Sequence, residues 1–396
     1  MNRNLWLLAV CQGLFLTNNV AFMAMNGLVG LSLAPRAWMA TLPIMAYVVG
    51  GALTTGLVTR TQQRFGRRGS FQIGLVVAVV SALGCAAATL AHSFWLLTLT
   101  TVVAGFYNAN AQLYRFAAAE LATPDWREKA ISLVMAGGLL GAVLGPNLAS
   151  ATRELVSTPY VGAYLALAVV ALVSMTVLHF IDFPAVQSKA QSMGGRPLAE
   201  IMRQPVFIVA ALAGSLGYGV MNLLMAATPL AMQVFSMPFH DIAFVLEWHV
   251  IGMFAPGFFT GHLIRRFGVL QIMAVGVLLN LACVSVALSG VNLHHFVIAL
   301  FMLGIGWNFL FTGATTLSLS AYTPEEKDRA QGALNFCMFA TLAVTSLASG
   351  VLVTTQGWQL LNIGSLLPVA VTGGALIWLL LRQRLHTPAT LASGAK

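Results

Sequence analysis

Apolar runs of about 20 residues recur from one end of the chain to the other, divided by short polar or basic loops. Each run is long enough to span a bilayer as a helix, so the pattern predicts a polytopic all-α membrane protein. Twelve spans are expected, near residues 5–28, 37–59, 71–91, 94–121, 130–152, 159–181, 205–235, 242–264, 269–290, 294–320, 331–353 and 359–382. The first run lacks a small-residue cleavage site and reads as a retained helix. An even number of spans places both termini on one side. That side collects 17 Lys and Arg residues against 2 (Arg36 and Arg153) on the other, so the positive-inside rule makes the termini cytoplasmic. The remaining cation, Arg115, falls within the fourth span.

The longest polar stretch, Asp182–Gln204, divides the spans six and six. The expected organisation is a first half at 1–182, a cytoplasmic linker at 183–204 and a second half at 205–396. An internal repeat supports the division. Arg64-Phe-Gly66 returns as Arg266-Phe-Gly268, 202 residues on, and the segment from Thr123 to Ala130 returns at Thr323–Ala330, 200 residues on. Two pseudo-symmetric six-span halves predict a transporter whose substrate site sits near the midplane between them.

Composition narrows the class. The chain is 58% hydrophobic and 8% charged, far from the near-quarter of charged residues in a soluble domain. Its net charge of +9 lies beside helix ends, which makes it a topology signal and not a nucleic-acid footprint. No GxxxxGK[ST] phosphate loop occurs, and no carboxylate pair or His/Cys/Asp/Glu cluster has catalytic spacing, so neither ATP-driven pumping nor an enzyme is expected. Four Cys, each in a different apolar run, read as small buried hydrophobes.

Candidate chemistry concentrates in spans seven and eight. Met221-x-x-x-Met225 on one and His249-x-x-x-Met253 on the other each set two donors four residues apart, on one helix face. Thioether sulfur and imidazole nitrogen suit copper, Cu(I) above all. Chance alone yields about 0.7 Met-x-x-x-Met pairs and about 0.3 His-x-x-x-Met pairs at this composition, so spacing by itself is weak. What strengthens it is depth: all four side chains fall roughly 10–21 Å below the same membrane face. Packing methionines and a hydrogen-bonded histidine are the plain alternative. Accessory candidates are Asn19 and Met23 on span one, and Glu247, the most deeply placed acid, as a proton-coupling or interfacial residue. A polar stripe on span four, with Asn108, Gln112, Tyr114 and Arg115, is expected to face the central cavity and suits a larger organic substrate.

The loop Arg64-Phe-Gly66-Arg67-Arg68 resembles the basic loop motif of the major facilitator superfamily, with Arg266 and Gly268 in its second-half echo. The usual Asp of that motif is replaced by Gln63 and Arg265, which removes the expected partner of its salt bridge. Gly137-Gly-Leu-Leu-Gly-Ala-Val-Leu-Gly-Pro146 is similar to the glycine-proline motif of the same superfamily, with a packing role as its default. The paired Met and His motifs resemble those of CcoA-type bacterial copper importers, and RfnT-type riboflavin transporters are close relatives within the superfamily. This resemblance implies a monomeric carrier in the bacterial inner membrane, embedded in lipid, that binds no nucleic acid and no resident cofactor. It would take copper as substrate for cytochrome oxidase assembly through Met221, Met225, His249 and Met253. Riboflavin or another small organic solute is the alternative cargo.

Overall fold

The computed structural model describes residues 3–123, 126–183, 195–323 and 325–386. Among these residues the regular structure is helical, without a strand. The helices are α1 (Arg3–Leu33), α2 (Leu42–Leu90), α3 (Phe94–Ala111), α4 (Tyr114–Leu121), α5 (Arg127–Thr152), α6 (Val161–His179), α7 (Leu198–Met202), α8 (Pro205–Val234), α9 (Phe239–Phe254), α10 (Gly257–Phe267), α11 (Val269–Ser289), α12 (Leu293–Ser318), α13 (Lys327–Thr355) and α14 (Gly357–His386).

By length and apolarity, nine helical stretches among the described residues could each cross a bilayer, or ten when α9 and α10, bent by 42°, form one span. The twelve-span expectation is recovered by two observations. First, α2 turns back on itself at Gly66, whose φ of 70° and ψ of −179° are not helical. Thr61 and Ser70, which a continuous helix would hold about 13.5 Å apart, touch hydroxyl to hydroxyl at 2.7 Å. Second, α3 and α4 are one span broken at Gln112–Leu113, as α9 and α10 are one span broken at Ala255–Pro256. Six crossings precede the linker and six follow it. Twelve crossings return the chain to the side where it began, called the terminal face below; the opposite side is the far face. Of the linker, residues 184–194 lie outside the described residues.

The repeat is visible in the backbone. Gly268, the counterpart of Gly66, also takes a positive φ, 94°, at the reversal between α10 and α11. A side chain strains that region, so glycine at both turns is a geometric requirement. The glycine-proline stretch of α5 packs directly on α1. A Cβ at Gly137 would collide with the Ala9 carbonyl, and one at Gly141 would press on Leu16 and Thr17. Small residues let the two backbones approach within a layer that lipid cannot wet. Large apolar side chains such as Leu53, Trp95, Phe336 and Leu367 are more than 60% exposed, as a surface facing acyl chains requires.

Candidate functional site

A cavity with room for water-sized molecules of about 150 Å³ lies between the halves. Its two walls differ in chemistry where spans four and ten face it, although each also carries the other's kind, Phe15 and Tyr47 on the first half and Asn222 on the second. The first half contributes Gln12, Asn19 and Met23 from α1, and Asn108, Gln112 and Arg115 from the broken α3–α4 span. The second half contributes Tyr218, Met221 and Met225 from α8, Met253 and Phe254 from α9, and Trp307 and Phe311 from α12. Trp307 stacks on Phe311 at 4.9 Å with planes 17° apart, and meets Tyr218 and Phe254 edge-on at 5.3 and 6.2 Å. The result is an aromatic cluster built on a face-to-face pair.

The expected polar stripe on span four is split. Asn108, Gln112 and Arg115 follow one another at helical spacing and reach the cavity. Tyr114 does not: it is fully buried in the first half, edge-on to Phe71 at 4.8 Å and to Phe15 at 6.4 Å. One residue is about 100° around a helix, which is enough to move a side chain from cavity to core. Gln112 sits at the break between α3 and α4, and Arg115 follows in the first turn of α4. Among the described residues Arg115 has no carboxylate partner, and its Nε atom is buried without a hydrogen bond.

The four proposed copper donors are not equivalent. Met221, Met225 and Met253 line the cavity. His249 lies behind that wall, fully buried between α9 and α12. Its Nδ1 lies 2.7 Å from the Leu300 carbonyl oxygen, which can only accept, so Nδ1 carries the proton and Nε2 is left with a lone pair and no partner. Asn19 and Met23 line the opposite wall, and Asn19 donates to the Tyr47 hydroxyl at 2.9 Å. Among the described residues no group of three or more His, Cys, Asp and Glu is placed to hold a metal ion.

Glu247 sits away from the cavity, toward the far face. Its Oε2 accepts a 2.8 Å hydrogen bond from Asn147 Nδ2 on α5, which joins the two halves. Two further contacts join them there. The Arg153 guanidinium lies 5.1 Å from the Phe239 ring and 5.4 Å from the Tyr160 ring. Thr41 accepts from the Gly350 amide at 3.0 Å. Toward the terminal face, in contrast, the cavity continues into a second one of about 290 Å³ that shares Met135, Met253, Phe254, Trp307 and Phe311 with it. The additional lining residues Ile131, Gly257 and Thr312 all lie nearer the terminal ends of their spans. The binding space is therefore closed on the far side and extends toward the terminal side.

The basic loop motif keeps a salt bridge despite the missing Asp. Arg67 donates to both Glu120 oxygens at the end of α4, with Nε at 3.0 Å, and to Gln62 Oε1 at 3.0 Å. Glu120 is the first acid in the chain, but it lies 53 positions from Arg67, so no local motif could reveal the pairing. Arg68 donates to the His179 carbonyl and lies 3.7 Å from Asp182. Arg64 and Arg266 each cover the ring of the next residue, Phe65 and Phe267, at 5.2 and 5.3 Å. From the linker to the second half, Arg196, just before α7, forks onto Glu326 with Nε at 2.9 Å and Nη2 at 2.8 Å. That fork, aided by the Thr323 and Arg196 amides, holds the Glu326 carboxyl well below the usual carboxylate range.

A family model described as Major Facilitator Superfamily matches residues 5–256 and 210–396, essentially the whole chain. The chain is 39% identical over 363 residues to the riboflavin transporter RfnT of Brucella anthropi, with 91% of each chain covered. It is 24% identical to the uncharacterized MFS-type transporter YddS of Bacillus subtilis, covering 84% of this chain and 82% of that one. Among solved structures it matches a bacterial homolog of the human lysosomal transporter Spinster with a TM-score of 0.70 at 13% identity, covering 95% and 96% of the two chains.

Proposed function

The chain belongs to the major facilitator superfamily of transporters and is not an enzyme, and we propose that it carries riboflavin or a closely similar flavin across the bacterial inner membrane. The observation that carries this reading is the 39% identity to a riboflavin transporter over 91% of both chains. The cavity is compatible in kind. Organic ligands are held by mostly apolar and aromatic walls with a few convergent polar groups, and this cavity has both. Alternating access follows from the two halves: contacts at Thr41, Asn147 and Arg153 would break as the far side opens, while the terminal side closes. With the termini cytoplasmic by the positive-inside rule, the described state is open inward, one of the two states that alternating access requires.

Copper is the second reading, and one observation favours it. Five methionines line the cavity, Met221, Met225 and Met253 among them, and His249, held by its Nδ1 to Leu300, keeps a free Nε2 lone pair of the kind metal-binding histidines present. Against it stands the charge of the site: a cation entering the cavity meets Arg115 with no acid among the lining residues to offset it. The relative with an assigned substrate also favours a flavin.

The deciding experiment is paired uptake of labelled riboflavin and of copper by cells expressing the protein, with the Met225→Ala/His249→Ala double variant matched for membrane level. Saturable riboflavin uptake by the wild type supports the flavin carrier. Copper uptake lost in the double variant, with no riboflavin uptake by either, replaces it with the copper carrier.

A further inference from the structure

The two cavity walls together describe more of the ligand than its size. The second-half wall is aromatic: Trp307 and Phe311 stack face to face, each covering one face of the other, and Tyr218 and Phe254 meet Trp307 edge-on. An aromatic face of this kind takes another planar π system by offset stacking. The first-half wall supplies hydrogen-bonding groups and one charge, Arg115. Most polar lining groups are amides and phenols that both donate and accept, and two groups only donate. The guanidinium and the indole can only donate, and Arg115 Nε and Trp307 Nε1 are both buried without partners. No lining residue is acidic. A buried donor left unpaired is costly, so the ligand that stabilises this site is one that brings acceptors.

Resting on the flavin reading, we propose that the site recognises the ring and not the sugar-alcohol chain. A planar conjugated heterocycle stacks on one outer face of the Trp307–Phe311 pair, and its carbonyl-bearing edge faces the Arg115 fork. Arg115 presents two parallel donors in one plane, the geometry that a heterocycle edge with two adjacent acceptors matches. The bound ring would then touch both halves at once, aromatic wall on one side and guanidinium on the other. Binding energy gained across that gap is available to drive the rocking of one half against the other.

An anionic phosphate on a flavin would satisfy Arg115 by the same chemistry, and the experiment separates the two. The full chain, purified in detergent, is titrated with riboflavin, with lumiflavin (the same ring with a methyl in place of the chain), with ribitol (the chain without the ring) and with flavin mononucleotide, following quenching of protein and flavin fluorescence. Lumiflavin is expected to displace riboflavin with an affinity within about threefold, and ribitol to displace none at millimolar concentration. Arg115→Gln is expected to weaken riboflavin and lumiflavin about tenfold or more, with Arg115→Lys recovering part of the loss. Trp307→Leu weakens both to a similar degree and reduces the quenching of bound flavin.

Ribitol competing where lumiflavin does not would overturn the proposal. So would flavin mononucleotide binding ten times tighter than riboflavin and losing that advantage in Arg115→Gln. The wild-type competition stands even if a variant fails to fold. If lumiflavin binds in an Arg115- and Trp307-dependent way while riboflavin does not, the substrate reading falls and the ring-recognition proposal holds. If riboflavin binds and both substitutions are neutral, the proposal alone falls.

Discussion

Spans four and ten occupy the same place in the two halves, 200 residues apart, and face each other across the cavity with opposite chemistry. Tyr107, Ala111, Gln112 and Arg115 correspond to Trp307, Phe311, Thr312 and Thr315. In the first half the aromatic member, Tyr107, is buried against Phe15 at 5.5 Å, and Gln112 and Arg115 reach the cavity. In the second half, Trp307 and Phe311 form the wall. The fold imposes symmetry on the backbone, down to the positive φ at Gly66 and Gly268, and leaves the side chains of each half free to diverge. A pseudo-symmetric cavity can therefore offer a stacking surface on one side and donors on the other, which suits a ligand with a face and an edge.

Breaking the scaffold of one wall should have the largest effect. Gly137→Leu drives a side chain into the α1 backbone that carries Gln12, Asn19 and Met23, and overpacking of this kind costs about 1–3 kcal/mol or more. Membrane-inserted protein should fall several-fold, measured by fluorescence-detected size exclusion. Next comes erasure of the chemical contrast. Phe311→Leu removes a stacked ring worth about 0.5–1.5 kcal/mol beyond its area. Riboflavin uptake should show KM raised about threefold to tenfold at unchanged protein level. Asn108→Ala on the polar wall removes one neutral hydrogen-bonding group worth about 1 kcal/mol, or roughly a fivefold rise in KM. Met225→Leu, which keeps volume and loses sulfur, sharpens the comparison from the other direction. It should change riboflavin transport less than about twofold, whereas a copper carrier would lose most of its uptake.

The smallest effect belongs to the terminal face, where the halves also differ: Arg67 pairs with the half-exposed Glu120, whereas Arg196 pairs with the buried Glu326. The Glu326 carboxyl is held below its ordinary value of 4.5, first by the Arg196 fork and then by the Thr323 and Arg196 amides. A depressed carboxyl contributes stability that is complete above its unfolded value and is lost as pH falls through its folded one. Thermal unfolding in detergent should thus show Glu326→Gln less stable than wild type at pH 7, with the gap narrowing only below about pH 4.5.

The chain's own pattern carries the spans, the two-half organisation and the reversals at Gly66 and Gly268, because hydrocarbon admits only hydrogen-bonded helices of a set length. It also marks Met221, Met225, Met253, Asn108, Gln112 and Arg115, all of which reach the cavity. Tertiary structure decided the rest. Four residues along a helix leave an offset of about 40°, and at the contact line between α9 and α12 that offset separates Met253 in the wall from His249 behind it. Spacing cannot see such a line, since it is drawn by the neighbouring helix. The Arg67–Glu120 clamp, the Asn147–Glu247 link and the aromatic face of Tyr218, Phe254, Trp307 and Phe311 join residues dozens of positions apart. Each depends on which helix faces which, and that is settled by close packing of side chains between helices and not by hydropathy along any one of them.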